Sequence, residues 1–456
     1  MTLPQRAASR VTLPFSLGVC LLSLAACAGT QSPVSGEHLI ETDLQLDQSM
    51  VTDNDRDAIA LLSLDALAAP QTNVPADVSL VIDASGSMEG SHWEHAQMAA
   101  HRVVDALRPG DALTIIRYAD RASLLLERAE MPTDRDRAHM LIDEMTPEGQ
   151  TCISCGLQMA YDVYAAAPAR ALRRAVLISD GRPNVGITDS HSLAAFTSAM
   201  KVQQNIRTDT LGLGRLHDAD TLLAMAESSS SQYTFVSSPD DLPLAVASIV
   251  DELHQTTVVG VEVVFVPGDG VTWGNVPQVG ARYEAQNLIV PIGELSVDQS
   301  REFAIGLHLP AGAIGRAVRA QVRFTDLDGK EYEVVSDAYV GRTPDPVAAA
   351  ATSNLTVIRA YALVASAATM EDATIAYDQG DLAAAAAYIE EGQSYLGGLR
   401  GAPDAVLEAE SLRIEAFSDE IMGGTLSEDE SRERRMRERG RSRDRRRGAA
   451  PQSLHE

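Results

Sequence analysis

The chain has 456 residues, 45% apolar and 4% aromatic, which is a globular composition with room for two or three domains. Its formal net charge of -27 would repel a phosphate backbone, so nucleic acid is not expected as a partner. Phosphate-loop, His-Glu-x-x-His and Gly-x-Ser-x-Gly signatures are missing from the sequence, which removes the commonest nucleotide-binding and hydrolase readings.

In chain order, Arg6 and Arg10 precede an apolar run over 13–26 that is too short to span a bilayer and closes on Leu24-Ala25-Ala26-Cys27. This targeting segment resembles the bacterial lipoprotein signal, in which small residues admit the peptidase and the next cysteine is acylated. The resemblance implies a signal over 1–26, a lipid anchor on Cys27 and residence in the cell envelope, with Ala28 favouring the outer membrane. An ordinary secretory signal is the alternative. No later stretch holds about 18 uninterrupted apolar residues, so the chain is expected to be anchored and not threaded. Residues 27–57, rich in Gly, Ser, Thr, Gln and Asp, read as a flexible tether. Residues 58–68 read as an outer strand or short helix of the domain that follows, which gives that domain a span of 58–256.

From Val78 the chain is β-branched or aliphatic, Ser79 excepted, until Asp83, and a Gly-containing turn follows. That pattern is a buried parallel strand delivering a carboxylate to the open edge of a sheet. Asp83, Ser85 and Ser87 alternate on the loop, so one carboxylate and two hydroxyls converge, and oxygen-only ligation suits a hard cation such as Mg²⁺. Helical and strand signals then alternate. A helix is predicted over 92–107, strands over 112–118 and 122–126, and helices over 134–145 and 153–166. A strand ends at Asp180-Gly181, a helix covers 192–202 and a strand 208–213, and a helix (220–226), a strand (233–236) and a last helix (242–253) close the block. Gly149-Gln150-Thr151 closes a loop ahead of the fifth of these elements.

The three pieces in order, Asp83-x-Ser85-x-Ser87, Thr151 and Asp180, resemble the metal-ion-dependent adhesion site of the von Willebrand factor type A domain. The resemblance implies an α/β fold with a doubly wound, mainly parallel, Rossmann-like sheet. It also implies Mg²⁺ (or Mn²⁺ or Ca²⁺) at Asp83, Ser85, Ser87, Thr151 and Asp180, and a protein partner that supplies an acidic residue to the ion. A binding protein and not an enzyme is then expected. A metal-dependent hydrolase is the competing class, weakened by the lack of a third group to activate water. A scaffold whose metal is purely structural is the third.

Cys152 and Cys155 follow Thr151 directly. With Cys20 in the signal and Cys27 acylated, they are expected to form a disulfide outside the cytoplasm. A redox switch acting on Thr151, or a zinc site completed by His92 and His95, are the alternatives. Beyond 256 the texture changes to alternating strands over 258–266, 288–292, 302–309, 317–324 and 332–340, which suggests a β-sandwich-like domain over 257–344. Asp326 to Lys330 reads as its hairpin turn. Residues 345–423 are Ala-rich and helical. The tail over 424–456 holds ten arginines between 432 and 447 with hardly an apolar side chain, and is expected to be disordered, either drawn to anionic surfaces or folded loosely on the acidic body.

Overall fold

The computed structural model describes residues 34–67, 74–180, 182–214, 217–236, 242–312, 315–397, 404–424 and 426–449. Cys27 and the signal lie outside the described residues.

Residues 77–255 build the doubly wound sheet that the sequence predicts. Its strand order is Tyr233–Val236, Ile206–Leu213, Arg173–Ser179, Asp77–Asp83, Ala112–Tyr118 and Ala122–Glu130, parallel throughout except for the last, which forms a hairpin with Ala112–Tyr118. The strand Asp77–Asp83 is buried along its whole length because both faces are covered. Val78, Leu80 and Ile82 join the core under the helices Ser91–Ala106, Arg135–Asp143 and Leu242–Gln255. Val81 points the other way, into the core under Ile153–Ala166, Ser190–Gln204 and Ala219–Ser228. The chain leaves this central strand first to one side and later to the other, so the carboxyl end of Asp77–Asp83 lies at the point where the strand order reverses.

The second body is a β-sandwich. One sheet orders Glu331–Arg342, Gly315–Asp326, Thr256–Pro267 and Asn287–Ser296 side by side; the other pairs Ser300–Leu309 with Arg56–Ala66, and Arg56–Ala66 with Ile40–Leu46. Leu62, Leu64, Phe303 and Ile305 from one sheet meet Val263, Phe265 and Val322 from the other in a single core. Fully burying an aliphatic side chain of this kind contributes about 1.5–3 kcal/mol, and Leu62→Ala would cost about 2–5 kcal/mol.

These pairings correct two expectations. The composition of residues 27–57 reads as a tether, yet Ile40–Leu46 is a strand with Ile40, Leu44 and Leu46 buried on one face. Residues 58–66 belong to the sandwich, not to the α/β domain, because Arg56–Ala66 aligns with Ser300–Leu309 from Asp65 opposite Ser300 to Arg56 opposite Leu309. The α/β domain is therefore inserted between the second and third long strands of the sandwich. The turn from Asp326 to Lys330 is a hairpin as read, its carboxylate Oδ1 accepting the N–H groups of Asp328 (3.0 Å) and Lys330 (2.9 Å).

Helices Leu355–Asp378, Leu382–Gly397 and Ala405–Met422 follow. The first covers the outer face of the sandwich, where Val357 and Val364 pack on Leu61 and Ala304. Of the tail over 424–456 expected to be disordered, 450–456 lie outside the described residues, and Glu428–Arg446 is instead a helix. Ser427 and Glu430 form a capping box, Glu428, Asp429 and Glu430 occupy its first turn, and Arg443, Arg445 and Arg446 its last, all of which complement the helix dipole. Its arginines find carboxylates on other elements. Arg443 and Arg446 pair with buried Glu371, Arg439 with Asp220 and Asp378, Arg435 with Asp378, and Arg443 also with Glu227. Composition alone predicted disorder because it weighs the segment against water, whereas the remainder of this acidic chain supplies its counterions.

No described helix is long and apolar enough to cross a membrane.

Candidate metal site

Asp83 ends the central strand in register with Tyr118 on the neighbouring strand, and Ser179 ends the strand on its other side. Both neighbours serve it. The Tyr118 hydroxyl donates to Asp83 Oδ2 at 3.1 Å, the Ser179 hydroxyl to the same oxygen at 2.6 Å, and the Ser85 N–H to Oδ1 at 2.9 Å. The carboxylate is fully buried, and burial pushes its pKa up to about 6; Ser179 and Ser85 oppose the shift, and the nearby charge of Asp180 adds to it. The Tyr118 phenol, itself buried and beside Asp83, is pushed far above its usual range and stays a donor.

The loop after the strand turns back so that the Ser85 and Ser87 hydroxyls lie 3.0 Å apart, Ser85 buried and Ser87 exposed. A second loop closes on it. Gly86 N–H donates to the Gly149 carbonyl (3.0 Å) and Glu148 N–H to the Ala84 carbonyl (2.8 Å). Gly149 has φ +83°, and a Cβ there would lie 3.0 Å from Asp120 Oδ2, so glycine is needed for both conformation and space. Asp120 in turn accepts from Gln150 N–H at 2.6 Å. Thr151, 2% exposed, is held by Asn184, whose side-chain oxygen accepts the Thr151 N–H (2.8 Å) while its own N–H donates to the Thr151 carbonyl (3.0 Å). Asp180, 5% exposed, accepts the Arg182 N–H at 3.3 Å.

The fold thus brings Asp83, Ser85 and Ser87 into contact and sets the Thr151 and Asp180 loops beside them. A divalent ion fits this donor set. Among the described residues, the groups that hydrogen-bond the Asp83 carboxylate are hydroxyls and one N–H, none of them cationic, and a second acid, Asp180, raises the cost of its charge. An ion would offset that cost, and hydroxyl and carboxylate oxygens are the ligands hard cations take. No described group of three or more His, Cys, Asp or Glu is arranged to hold a metal, so the serine and threonine hydroxyls are essential to the reading.

Cys152 and Cys155 are disulfide-bonded with Cα atoms 5.3 Å apart, directly behind Thr151 at the start of Ile153–Ala166. Their sulfurs are thus engaged with each other, and His92 lies instead against Gly214. Sequence reasoning missed Tyr118, Ser179, Asp120 and Asn184. Tyr118 and Ser179 carry one readable signal, since each ends a strand adjacent to Asp77–Asp83; Asn184 and Asp120 act through loop contacts with no such signal.

Comparison with known proteins agrees with the fold of the α/β domain. The family model for the von Willebrand factor type A domain matches residues 77–248. An uncharacterised protein of Synechocystis is 24% identical over 276 residues, which are 58% of this chain and 65% of that protein. Human inter-alpha-trypsin inhibitor heavy chain H3 is 25% identical over 205 residues, 41% of this chain and 22% of that protein. The chain therefore spans just under two thirds of the first relative and about a fifth of the second. A solved von Willebrand factor type A structure from Catenulispora acidiphila superposes with a TM-score of 0.67 at 19% identity, covering 86% of this chain and 91% of its own, which is a likeness of fold. Residues 77–248 are a von Willebrand factor type A domain, carried as an insertion in a β-sandwich.

Proposed function

We propose that this chain is a binding protein that captures a protein partner through a divalent ion held by Asp83, Ser85, Ser87, Thr151 and Asp180, the partner supplying a carboxylate to the ion. The observation that supports this reading is the buried Asp83 carboxylate, pushed up to about 6 and held by hydroxyl and N–H groups, at the head of a loop whose Ser85 and Ser87 hydroxyls lie 3.0 Å apart. Ser87 is the exposed member of the set and marks the side from which a partner's acid would arrive. Mg²⁺ or Mn²⁺ is the expected ion, with one coordination position left for the exchangeable ligand. A lipid on Cys27 would hold the chain at the envelope, and Cys27→Ser would then leave an unprocessed or soluble protein.

The test is a pull-down from envelope extracts with purified chain, with and without chelator, repeated with Asp83→Ala. Capture that is lost in chelator, restored by Mg²⁺ or Mn²⁺, and absent for a folded Asp83→Ala supports the reading. Capture that persists in chelator leaves the ion a structural role. Turnover of a phosphoester or peptide that needs Asp83 would favour a metal-dependent hydrolase instead.

A further inference from the structure

Away from that site, the helices Ser91–Ala106 and Arg135–Asp143 face each other on the surface of the α/β domain, and each carries a histidine followed four residues later by an aspartate: His101 and Asp105 on one, His139 and Asp143 on the other. The four side chains cross over. His101 Nε2 meets Asp143 at 2.9 Å, His139 Nε2 meets Asp105 at 3.0 Å, and the two Nδ1 atoms face each other at 2.6 Å. The ring centroids are 4.8 Å apart, and both rings are about a quarter exposed.

The proton inventory of this row is incomplete. An ionised carboxylate only accepts, so each Nε2 must carry its hydrogen toward its aspartate. A neutral imidazole has one hydrogen, which leaves both Nδ1 atoms bare, lone pair against lone pair. Two acceptors at 2.6 Å repel unless a cation lies between them. A carboxylate on the far nitrogen of each ring is also the arrangement that orients metal-bound histidines and raises their basicity.

We propose that His101 and His139 form a second metal site, distinct from the oxygen site, in which both Nδ1 atoms bind one borderline transition-metal ion such as Zn²⁺ or Cu²⁺ while Asp143 and Asp105 fix the rings from behind. Nitrogen ligation separates it chemically from the hard-cation site. Metal–nitrogen bonds of about 2.0–2.1 Å in tetrahedral geometry require the two nitrogens to part to roughly 3.3 Å, a small ring movement for side chains that are partly exposed. The protein supplies two ligands, so the remaining positions face solvent. The bound ion staples the helix that begins just after the Asp83 loop to its neighbour, a contact the Gln97 side chain already makes by donating to the Ile142 carbonyl at 3.0 Å.

The experiment is titration of Zn²⁺ and of Cu²⁺ into chelator-stripped, untagged full-length chain in excess Mg²⁺, by calorimetry and, for Cu²⁺, by electron paramagnetic resonance. One equivalent should bind, the Cu²⁺ spectrum should show nitrogen coupling, and the melting temperature should rise. His101→Gln and His139→Gln, checked for unchanged circular dichroism, should each lose that equivalent. Asp105→Asn and Asp143→Asn should keep it with affinity about 10–100-fold lower. Zn²⁺ and Cu²⁺ binding that is equal in the wild type and both glutamine variants, or no binding at all, would overturn the assignment and leave a proton shared by the two rings.

Discussion

The boundary between the two bodies is built on buried charge, and Glu294→Gln tests what that charge does. Arg174, on the α/β sheet, is fully buried and bonds Asp209 (2.8 Å) on the next strand and Glu294 (2.9 Å) on the sandwich strand Asn287–Ser296. Arg207 reaches the same Glu294 oxygen, and none of the four side chains is more than 5% exposed. Burial alone would raise Glu294, but Arg207 and Arg174 more than offset it and hold the carboxyl below its usual range. The quartet is neutral with Glu294 in place. Glutamine keeps the shape and one acceptor but leaves two buried guanidinium groups with a single carboxylate, a loss of about 3–5 kcal/mol. Against a typical total of about 5–15 kcal/mol this is large enough to separate the bodies. Trp93 sits in the α/β domain and Trp273 in the sandwich, so single Trp→Phe variants report each body by fluorescence during urea unfolding. In the parent the two transitions should coincide; in Glu294→Gln the midpoints should fall and part. A loss under about 1 kcal/mol with coincident midpoints would refute the claim that this network couples the two bodies.

Three further outcomes are expected. Burial pushes the Lys201 ammonium, near Arg207 and Glu294, from 10.5 down to about 8, so the folded state holds fewer protons between those values and stability should rise with pH from about 8 to 10.5. Lys201→Met should remove that slope and gain up to about 3 kcal/mol at neutral pH, read as melting temperature against pH. In Gly156→Ala the new Cβ would lie 2.8 Å from Tyr118 and Val81; a loss of about 1–3 kcal/mol with weaker metal binding is expected by calorimetry, because Tyr118 holds Asp83. Glu371→Gln should cost about 2–3 kcal/mol and speed hydrogen exchange across Glu428–Arg446, since the buried carboxylate anchors Arg443 and Arg446; unchanged exchange would show that the helix is held by other contacts.

What the sequence made legible is what depends on local pattern. The strand ending at Asp83, the helix Ile153–Ala166 and the strand Ala112–Tyr118 lie where apolar runs and Gly or Pro punctuation put them, and the Asp-x-Ser-x-Ser loop follows that first strand directly. What stayed hidden depends on partners far along the chain. Ile40–Leu46 has the alternating burial of a half-buried strand, but its polar residues read as a tether until the strand Arg56–Ala66 is set beside it. The arginine helix is hidden for the same reason, since Glu371, Asp378 and Glu227 lie at least 50 residues away in sequence. At the candidate metal site the five candidate residues come from the motif's resemblance, whereas the Asn184 clasp on Thr151 joins two loops whose meeting no periodicity predicts.

The insertion also dictates an order of events during synthesis. Arg56–Ala66 leaves the ribosome early, yet its partner Ser300–Leu309 is made some 235 residues later, with Asp65 waiting for Ser300. At about 5–20 residues per second, that strand spends roughly 12–47 s without the sheet neighbour it needs. An exported chain reaches its folding compartment in the same N-to-C order, so the inserted domain, whose sheet is complete within residues 77–236, can close while Arg56–Ala66 still waits. It then brings residue 256 out beside the waiting strands, so the nascent chain is exposed to aggregation chiefly through Leu61, Leu62 and Leu64, the residues a chaperone would have to cover.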